Sequence, residues 1–191
     1  MFSPTKIIIT VEKRFNDEID FNGGKLYLDP TYRPEWNVIP YGKVISVPPS
    51  RPLSPMVQSE YFFHNVEVGD KLYFNYGVIL DEENCIEHDG QKYWLVDYYM
   101  ALATVRDGKV YPVGEHILIE PMEEEVTSSI IIPEMLKKKV LTIGKVYASL
   151  DPEITVGSTV HFQEQGMFEN EIEGKKLFVM YYSNILAKTI K

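Results

Sequence analysis

The sequence contains one cysteine, Cys85, among 191 residues. A single thiol can form neither an internal disulfide nor a cysteine-based metal cluster, so we expect a cytosolic chain that does not depend on oxidation. Basic residues are also scarce, since 19 Lys and Arg stand against 28 Asp and Glu and give a formal net charge of −9. A net-acidic chain repels a phosphate backbone, which argues against nucleic acid as a main partner.

Long apolar runs are missing as well. No stretch approaches the roughly 18 residues needed to span a bilayer, and residues 1–15 lack the order of a secretion signal. We therefore expect no membrane partner and a cytoplasmic location. The four histidines are scattered, and no glycine-rich phosphate loop or serine-centred elbow is present. The sequence thus predicts no catalytic residue, no cofactor and no metal.

Short runs of β-branched and aromatic residues lie between turn formers along the whole chain. Gly and Pro number 12 each, and no segment of helix length repeats its apolar residues every 3.6 positions. Eight runs have the strand signature: 7–11, 43–47, 71–74, 93–96, 117–119, 140–143, 159–162 and 177–180. The predicted fold class is all-β.

Several segments occur twice, in the same order. The matching pairs are 42–44 with 144–146, 68–74 with 156–162, and 90–96 with 174–180. Blocks whose spacing changes only through loops indicate a duplicated domain. We place the domains at 1–108 and 109–191, on either side of a tight turn at Asp107-Gly108. The first domain has a Pro-rich insertion at 48–65 that the second lacks.

The second copy contains five blocks in an order typical of a known family. They are 115–121 (EHILIEP), 128–134 (SSIIIPE), 144–146 (GKV), 156–160 (VGSTV) and 183–187 (SNILA). Together they resemble the GroES-type co-chaperonins of the chaperonin-10 family. Within that resemblance, 128–134 is similar to the family's mobile loop, in which two small residues precede three apolar ones.

The first copy resembles the family more loosely. Its best block is 66–71 (VEVGDK), and residues 23–28 (GGKLYL) stand where the mobile loop belongs. The insertion at 48–65 takes the place of the family's roof hairpin.

The resemblance implies two tandem GroES-like, partly open β-barrels. It also implies self-association into a ring that caps a large GroEL-type chaperonin ring and assists ATP-dependent protein folding without being an enzyme. The partner-binding residues that it implies are Ile130, Ile131 and Ile132 in the second copy and Leu26, Tyr27 and Leu28 in the first. Apolar triplets are also typical of buried strands, so a purely structural role stays open for both sets.

A second function is compatible with the same sequence. The first copy diverges from the family pattern and the second lacks a roof. Both features fit a structural or assembly protein, for example of a virus particle, that reuses the GroES-like fold without binding a chaperonin.

Overall fold

The computed structural model describes residues 2–21, 24–29, 32–49, 65–122, 142–163 and 165–189. Contacts between residues divide the chain into two compact units, Met1–Gly114 and Glu115–Lys191. Strands predominate among the described elements, and each unit is built on one antiparallel sheet. The all-β fold class is therefore confirmed.

Within its described residues, the first unit contains nine strands and two single-turn α-helices. The strands are β1 (Ile7–Thr10), β2 (Glu18–Phe21), β3 (Gly24–Tyr27), β4 (Tyr41–Ser46), β5 (Lys71–Phe74), β6 (Cys85–His88), β7 (Gln91–Val96), β8 (Ala101–Arg106) and β9 (Lys109–Pro112), and the helices are α1 (Pro34–Asn37) and α2 (Gly77–Leu80). Seven strands form one sheet in the order β6-β7-β1-β4-β5-β8-β9, and β2 pairs with β3 in a separate hairpin. Short 3-10 helices cover Glu82–Asn84 and Tyr98–Met100.

The part of the second unit that the structure describes contains six strands. They are β10 (His116–Pro121), β11 (Ile143–Ala148), β12 (Thr159–Phe162), β13 (Phe168–Ile172), β14 (Lys175–Tyr181) and β15 (Ile185–Lys188). They form one sheet in the order β13-β14-β10-β11-β12-β15, and a 3-10 helix at Tyr182–Asn184 precedes the last strand. Among the described strands neither sheet closes on itself, so both are open.

Six strands of the first sheet follow the same order as the six of the second. The central strands β1 and β10 also share an irregularity in register, between Ile8 and Ile9 in one and between Leu118 and Ile119 in the other. The sheets differ at one edge. There β9 extends the first sheet beyond β8, whereas β15 is the outermost described strand of the second.

The central strand of each sheet is buried on both faces. Ile7, Ile8 and Ile9 in β1 are at most 1% exposed, and residues 117–119 of β10 are fully buried. A strand covered on both sides needs apolar residues at successive positions, which is why both strands appear as unbroken apolar runs in the sequence. In the second unit, Phe162 and Phe178 add an edge-to-face ring contact to the core, with centroids 6.0 Å apart.

The strand next to each central strand carries a glycine at a point of close backbone approach. A Cβ on Gly42 would lie 2.6 Å from the carbonyl oxygen of Thr10. A Cβ on Gly144 would lie 2.8 Å from the carbonyl oxygen of Glu120 and 2.3 Å from Cγ2 of Ile119. Only a residue without a Cβ fits at these positions, because the neighbouring backbone fills the space.

Three hairpins use the same two-residue turn. Both turn residues have positive φ at Asp89-Gly90 (51° and 74°), Asp107-Gly108 (50° and 72°) and Glu173-Gly174 (50° and 74°). This geometry is the type I′ turn, whose twist matches that of paired strands. The predicted turn at 107–108 is thus confirmed, and it places β9 beside β8, so residues 109–114 are grouped with the first unit. The predicted domain boundary at 108/109 stays a prediction.

The predicted strands are found at nearly the predicted positions, with one partial exception. The run at 140–143 extends over Val140 and Leu141, which lie outside the described residues, and β11 begins at Ile143. Seven of the described strands were not predicted from the sequence. They are β2, β3, β6, β8, β9, β13 and β15.

Candidate functional site

The predicted partner-binding residues lie in equivalent connections of the two sheets. Each connection joins the central strand to its neighbour, through residues 11–40 between β1 and β4 and through residues 122–142 between β10 and β11. At the base of the second connection the Met122 amide donates to the Ile143 carbonyl at 3.1 Å. Ile130, Ile131 and Ile132 lie outside the described residues, so their role stays a prediction.

The first connection presents two of its three predicted residues to solvent. Residues 24–27 form β3 in the β2–β3 hairpin, where Leu26 is 55% and Tyr27 is 74% exposed. Leu28 is half-buried, and its amide donates to the Asp17 carbonyl at 2.7 Å. The side chains of Leu26 and Tyr27 are therefore accessible to a partner, and their role in binding one stays a prediction.

Sequence reasoning missed a second group of exposed aromatic residues in the same connection. Tyr32 is 70% and Trp36 is 72% exposed. The guanidinium carbon of Arg33 lies 4.3 Å from the centre of the Trp36 ring and 5.7 Å from that of Tyr32. The only signal in the sequence is an arginine between two aromatics in a Pro-containing segment, 32–36 (YRPEW), which is otherwise typical of a loop.

The predicted Pro-rich insertion leads into a charged cluster in the first unit. Residues 50–64 lie outside the described residues, and Asn65 is the first described residue after them. The Asp70 carboxylate is buried and accepts hydrogen bonds from Nε and Nη2 of Arg106, both at 2.8 Å, and from the Glu67 amide at 2.8 Å. Arg106 also contacts the Glu67 carboxylate and donates to the Asn65 carbonyl at 3.3 Å.

This cluster fixes the segment that follows the insertion against β8. The hydrogen bonds to Asp70 raise the pKa of Arg106 above its already high ordinary value, so the guanidinium stays charged at every working pH. A bidentate pair between a planar guanidinium and a carboxylate is stronger and more directional than a single hydrogen bond. In the second unit a serine, Ser158, holds the place of Asp70, and its hydroxyl contacts that of Thr155 at 2.8 Å.

Replacing Asp70 with alanine should destabilise the first unit by about 2 kcal/mol, because the mutation removes three hydrogen bonds to one buried carboxylate. Arg106 is about 30% exposed and regains water in the variant, which holds the loss below that of a fully buried pair. Urea unfolding followed by the fluorescence of the buried Trp94 measures the change. Lys25→Ala, which breaks an exposed ion pair with Glu18 in the same unit, is the control and should change stability by less than about 0.5 kcal/mol. Equal losses in the two variants would contradict the role of the cluster.

The outer edge of the second sheet exposes a residue type that the first sheet buries. Leu102 in β8 is 1% exposed, and its carbonyl accepts from the Val113 amide at 3.1 Å. Leu186, likewise the second residue of its strand, β15, is 61% exposed. Within the described residues β15 pairs on one side only, with β12. Such an edge offers unpaired backbone groups and an apolar side chain to another strand.

Two further properties of the described residues bear on function. The described helices include none that is long and apolar enough to cross a membrane. Among the same residues, no group of three or more His, Cys, Asp or Glu side chains is arranged to hold a metal ion.

Comparison with known proteins identifies the class of protein to which this chain is similar. The model of the family described as "Chaperonin 10 Kd subunit" matches residues 109–189. The co-chaperonin GroES of Thermotoga neapolitana is 32% identical over 87 residues, which cover 42% of this chain and 95% of the relative. GroES of Kosmotoga olearia is 34% identical over 87 residues, with 42% and 96% covered, and GroES of Porphyromonas gingivalis is 29% identical over 85 residues, with 41% and 96% covered.

The second unit therefore has the sequence of a co-chaperonin, a class that is not catalytic. The chain belongs to the chaperonin 10 family, through residues 109–189.

Proposed function

We propose that this protein is a tandem co-chaperonin that caps a GroEL-type chaperonin ring and assists ATP-dependent protein folding. The observation that carries the proposal is the match of residues 109–189 to the chaperonin 10 family, within which Ile130, Ile131 and Ile132 form an apolar triplet in a polar segment. A cytoplasmic location is part of the proposal, since the single cysteine leaves the fold independent of an oxidising compartment.

The apolar triplet suits a contact with the chaperonin ring that has to form and break repeatedly. In an apolar groove each isoleucine gains roughly 1.5–3 kcal/mol from burial. Fixing the backbone of the segment opposes this gain by roughly 1–2 kcal/mol for each residue that becomes ordered, so one segment binds weakly. Several copies in one ring bind together through their effective concentration, which gives a cap that is strong but reversible. Pro133 lowers the ordering cost by restricting the backbone.

The first unit is proposed to be a second GroES-like domain. Its support is the strand order that it shares with the second unit, together with the glycine at the same close approach, Gly42 in one and Gly144 in the other. In this proposal the β1–β4 connection, with Leu26, Tyr27 and Leu28, takes the place of the mobile loop. Because each chain supplies two domains, any closed ring of whole chains contains an even number of them.

Self-association is proposed to use the outer edge of β15. In the first unit β9 covers the equivalent edge of β8, and an incoming strand from another copy would cover β15 in the same way.

Replacing Leu186 with aspartate should reduce the native mass to that of a smaller species, because a charge at this position loses its hydration when a strand pairs over it. Native mass spectrometry measures the outcome. Leu150→Asp places the same charge on a partly exposed leucine elsewhere in the second unit and should leave the mass unchanged. A wild-type protein that is already monomeric would contradict the proposed assembly.

The direct test of function is capture by a purified bacterial GroEL-type chaperonin in the presence of ATP. The protein should form a stable complex and slow ATP turnover by the ring. Absence of a complex at high protein concentration, with the chain itself assembled into particles of defined mass, would favour the structural or assembly role instead.

A further inference from the structure

The three most exposed large apolar side chains in the described part of the chain all lie in one segment. They are Tyr27, Trp36 and Tyr32, at 74%, 72% and 70% exposure. Trp and Tyr at such exposure are unusual on a protein surface, and they dominate the binding energy of many protein interfaces. The β1–β4 connection of the first unit is therefore a candidate interaction surface.

An arginine lies between two of these rings. Arg33 has its guanidinium 4.3 Å from the centre of the Trp36 ring and 5.7 Å from the centre of the Tyr32 ring. Within the described residues it has no ion pair, although Asp29 and Glu35 are close in sequence. A guanidinium stacked on aromatic rings keeps its in-plane N–H groups available, and these fit a carboxylate bidentately.

The surface is held in place before any partner binds. The Trp36 amide donates to the Arg33 carbonyl at 3.0 Å, and the Asn37 side chain donates to the Tyr32 carbonyl at 3.3 Å. The next residue, Val38, is buried in the core of the unit, and the Asn37 carbonyl accepts from the Asn16 amide at 2.6 Å. Binding to a fixed surface loses less conformational entropy than binding to a segment that must first become ordered.

The charge around the rings indicates a protein rather than a nucleic acid. Arg33 and Lys25 are balanced by Asp29 and Glu35 over residues 24–37, and the whole chain has a net charge of −9. A phosphate backbone gains little from such a surface. A protein surface that carries one carboxylate beside apolar side chains matches both the cation and the rings.

We infer that Tyr32, Arg33 and Trp36 form a second contact of the first unit with the chaperonin ring, beside the one proposed for Leu26, Tyr27 and Leu28, and that Arg33 pairs there with a carboxylate of the ring. This inference rests on the proposed function. The inferred contact uses other residues than the predicted triplet at 26–28. It also binds differently, because it is a prefolded aromatic and cationic surface rather than an apolar strand.

Binding of a purified bacterial GroEL-type chaperonin with ATP, measured by biolayer interferometry, tests the inference. Trp36→Ala should weaken binding about tenfold or more, as truncation of a central aromatic does. Arg33→Glu should weaken it by at least as much and should also reduce the dependence of affinity on salt. Tyr76→Ala, which removes a 46% exposed tyrosine elsewhere in the first unit, is the control and should bind like the wild type.

The outcomes separate this inference from the proposed function. If the wild type binds the ring and both variants bind equally well, the inference is wrong and the proposed function stands. If the wild type does not bind, both fail. Binding of a fluorescent poly-uridine oligonucleotide that Trp36→Ala abolishes, or a change in native mass in that variant, would overturn the inference in favour of an RNA contact or a contact between copies. Unchanged circular dichroism and melting temperature in both variants show that a loss of binding is not a loss of folding.

Discussion

Replacing Ile131 with aspartate is expected to abolish capture by a GroEL-type chaperonin ring while the second unit stays folded. A carboxylate at the centre of the triplet would have to lose its hydration to enter an apolar groove, which removes the gain from burial and adds a desolvation cost. Every copy in an assembled cap carries the change, so the losses multiply through avidity and capture should fall by more than about 100-fold. Pull-down with the ring and ATP measures capture, and far-UV circular dichroism checks the fold.

Ile131→Leu is the matched control, since it keeps the size and apolar character of the side chain and should retain most of the capture. If Ile131→Asp instead unfolds the second unit, residue 131 belongs to a buried strand and the anchor interpretation is wrong. If the variant is captured like the wild type, the ring is held elsewhere, and the surface formed by Tyr32, Arg33 and Trp36 becomes the main candidate.

Replacing Gly144 with alanine is expected to destabilise the second unit by about 3 kcal/mol, a large fraction of the stability of a small domain. The added methyl group would lie 2.3 Å from Cγ2 of Ile119 and 2.8 Å from the Glu120 carbonyl oxygen. The carbonyl belongs to the backbone of the central strand, so it moves only if the pairing of β10 with β11 shifts. Urea unfolding followed by far-UV circular dichroism measures the change, because both tryptophans, Trp36 and Trp94, lie in the first unit.

Gly174→Ala separates this steric effect from a loss of backbone freedom. Gly174 has a positive φ of 74°, but a Cβ there would meet no atom within 4 Å, so alanine should cost only about 1 kcal/mol. If the two variants lose equal stability, the close approach at Gly144 has no special cost. The same comparison applies to Gly42, where a Cβ would lie 2.6 Å from the Thr10 carbonyl oxygen.

The strands that could be predicted from the sequence are mainly the buried ones. Residues 7–9 and 117–119 lie at the centre of their sheets, and burial on both faces requires the continuous apolar runs that were recognised. The strands β3 and β6 were missed because each has only four residues and neither contains a buried apolar run. The strand β8 was missed for another reason. It is buried, but Ala101 and Ala103 have no marked preference for strands, and its place in the sheet comes from pairing with β5 and β9.

The candidate site also contains residues that could be predicted from the sequence and residues that could not. The sequence placed Leu26 and Tyr27 in the connection where the structure exposes them, because that connection could be located by its position in the predicted repeat. The group at Tyr32, Arg33 and Trp36 could not be found in this way, since an aromatic residue in a sequence gives no sign of whether it is buried or exposed.

The sequence by itself determined the all-β class and the membership of the chaperonin 10 family, because these depend on local periodicity, turn residues and motif spacing. Only the tertiary structure decided which side chains face solvent. Leu102 and Leu186 are each the second residue of their strand, β8 beside β5 and β15 beside β12, yet one is 1% and the other 61% exposed. The difference arises because β9 covers the edge of the first sheet, and the burial of a side chain is set by strands that pair with its own strand rather than by its neighbours in sequence.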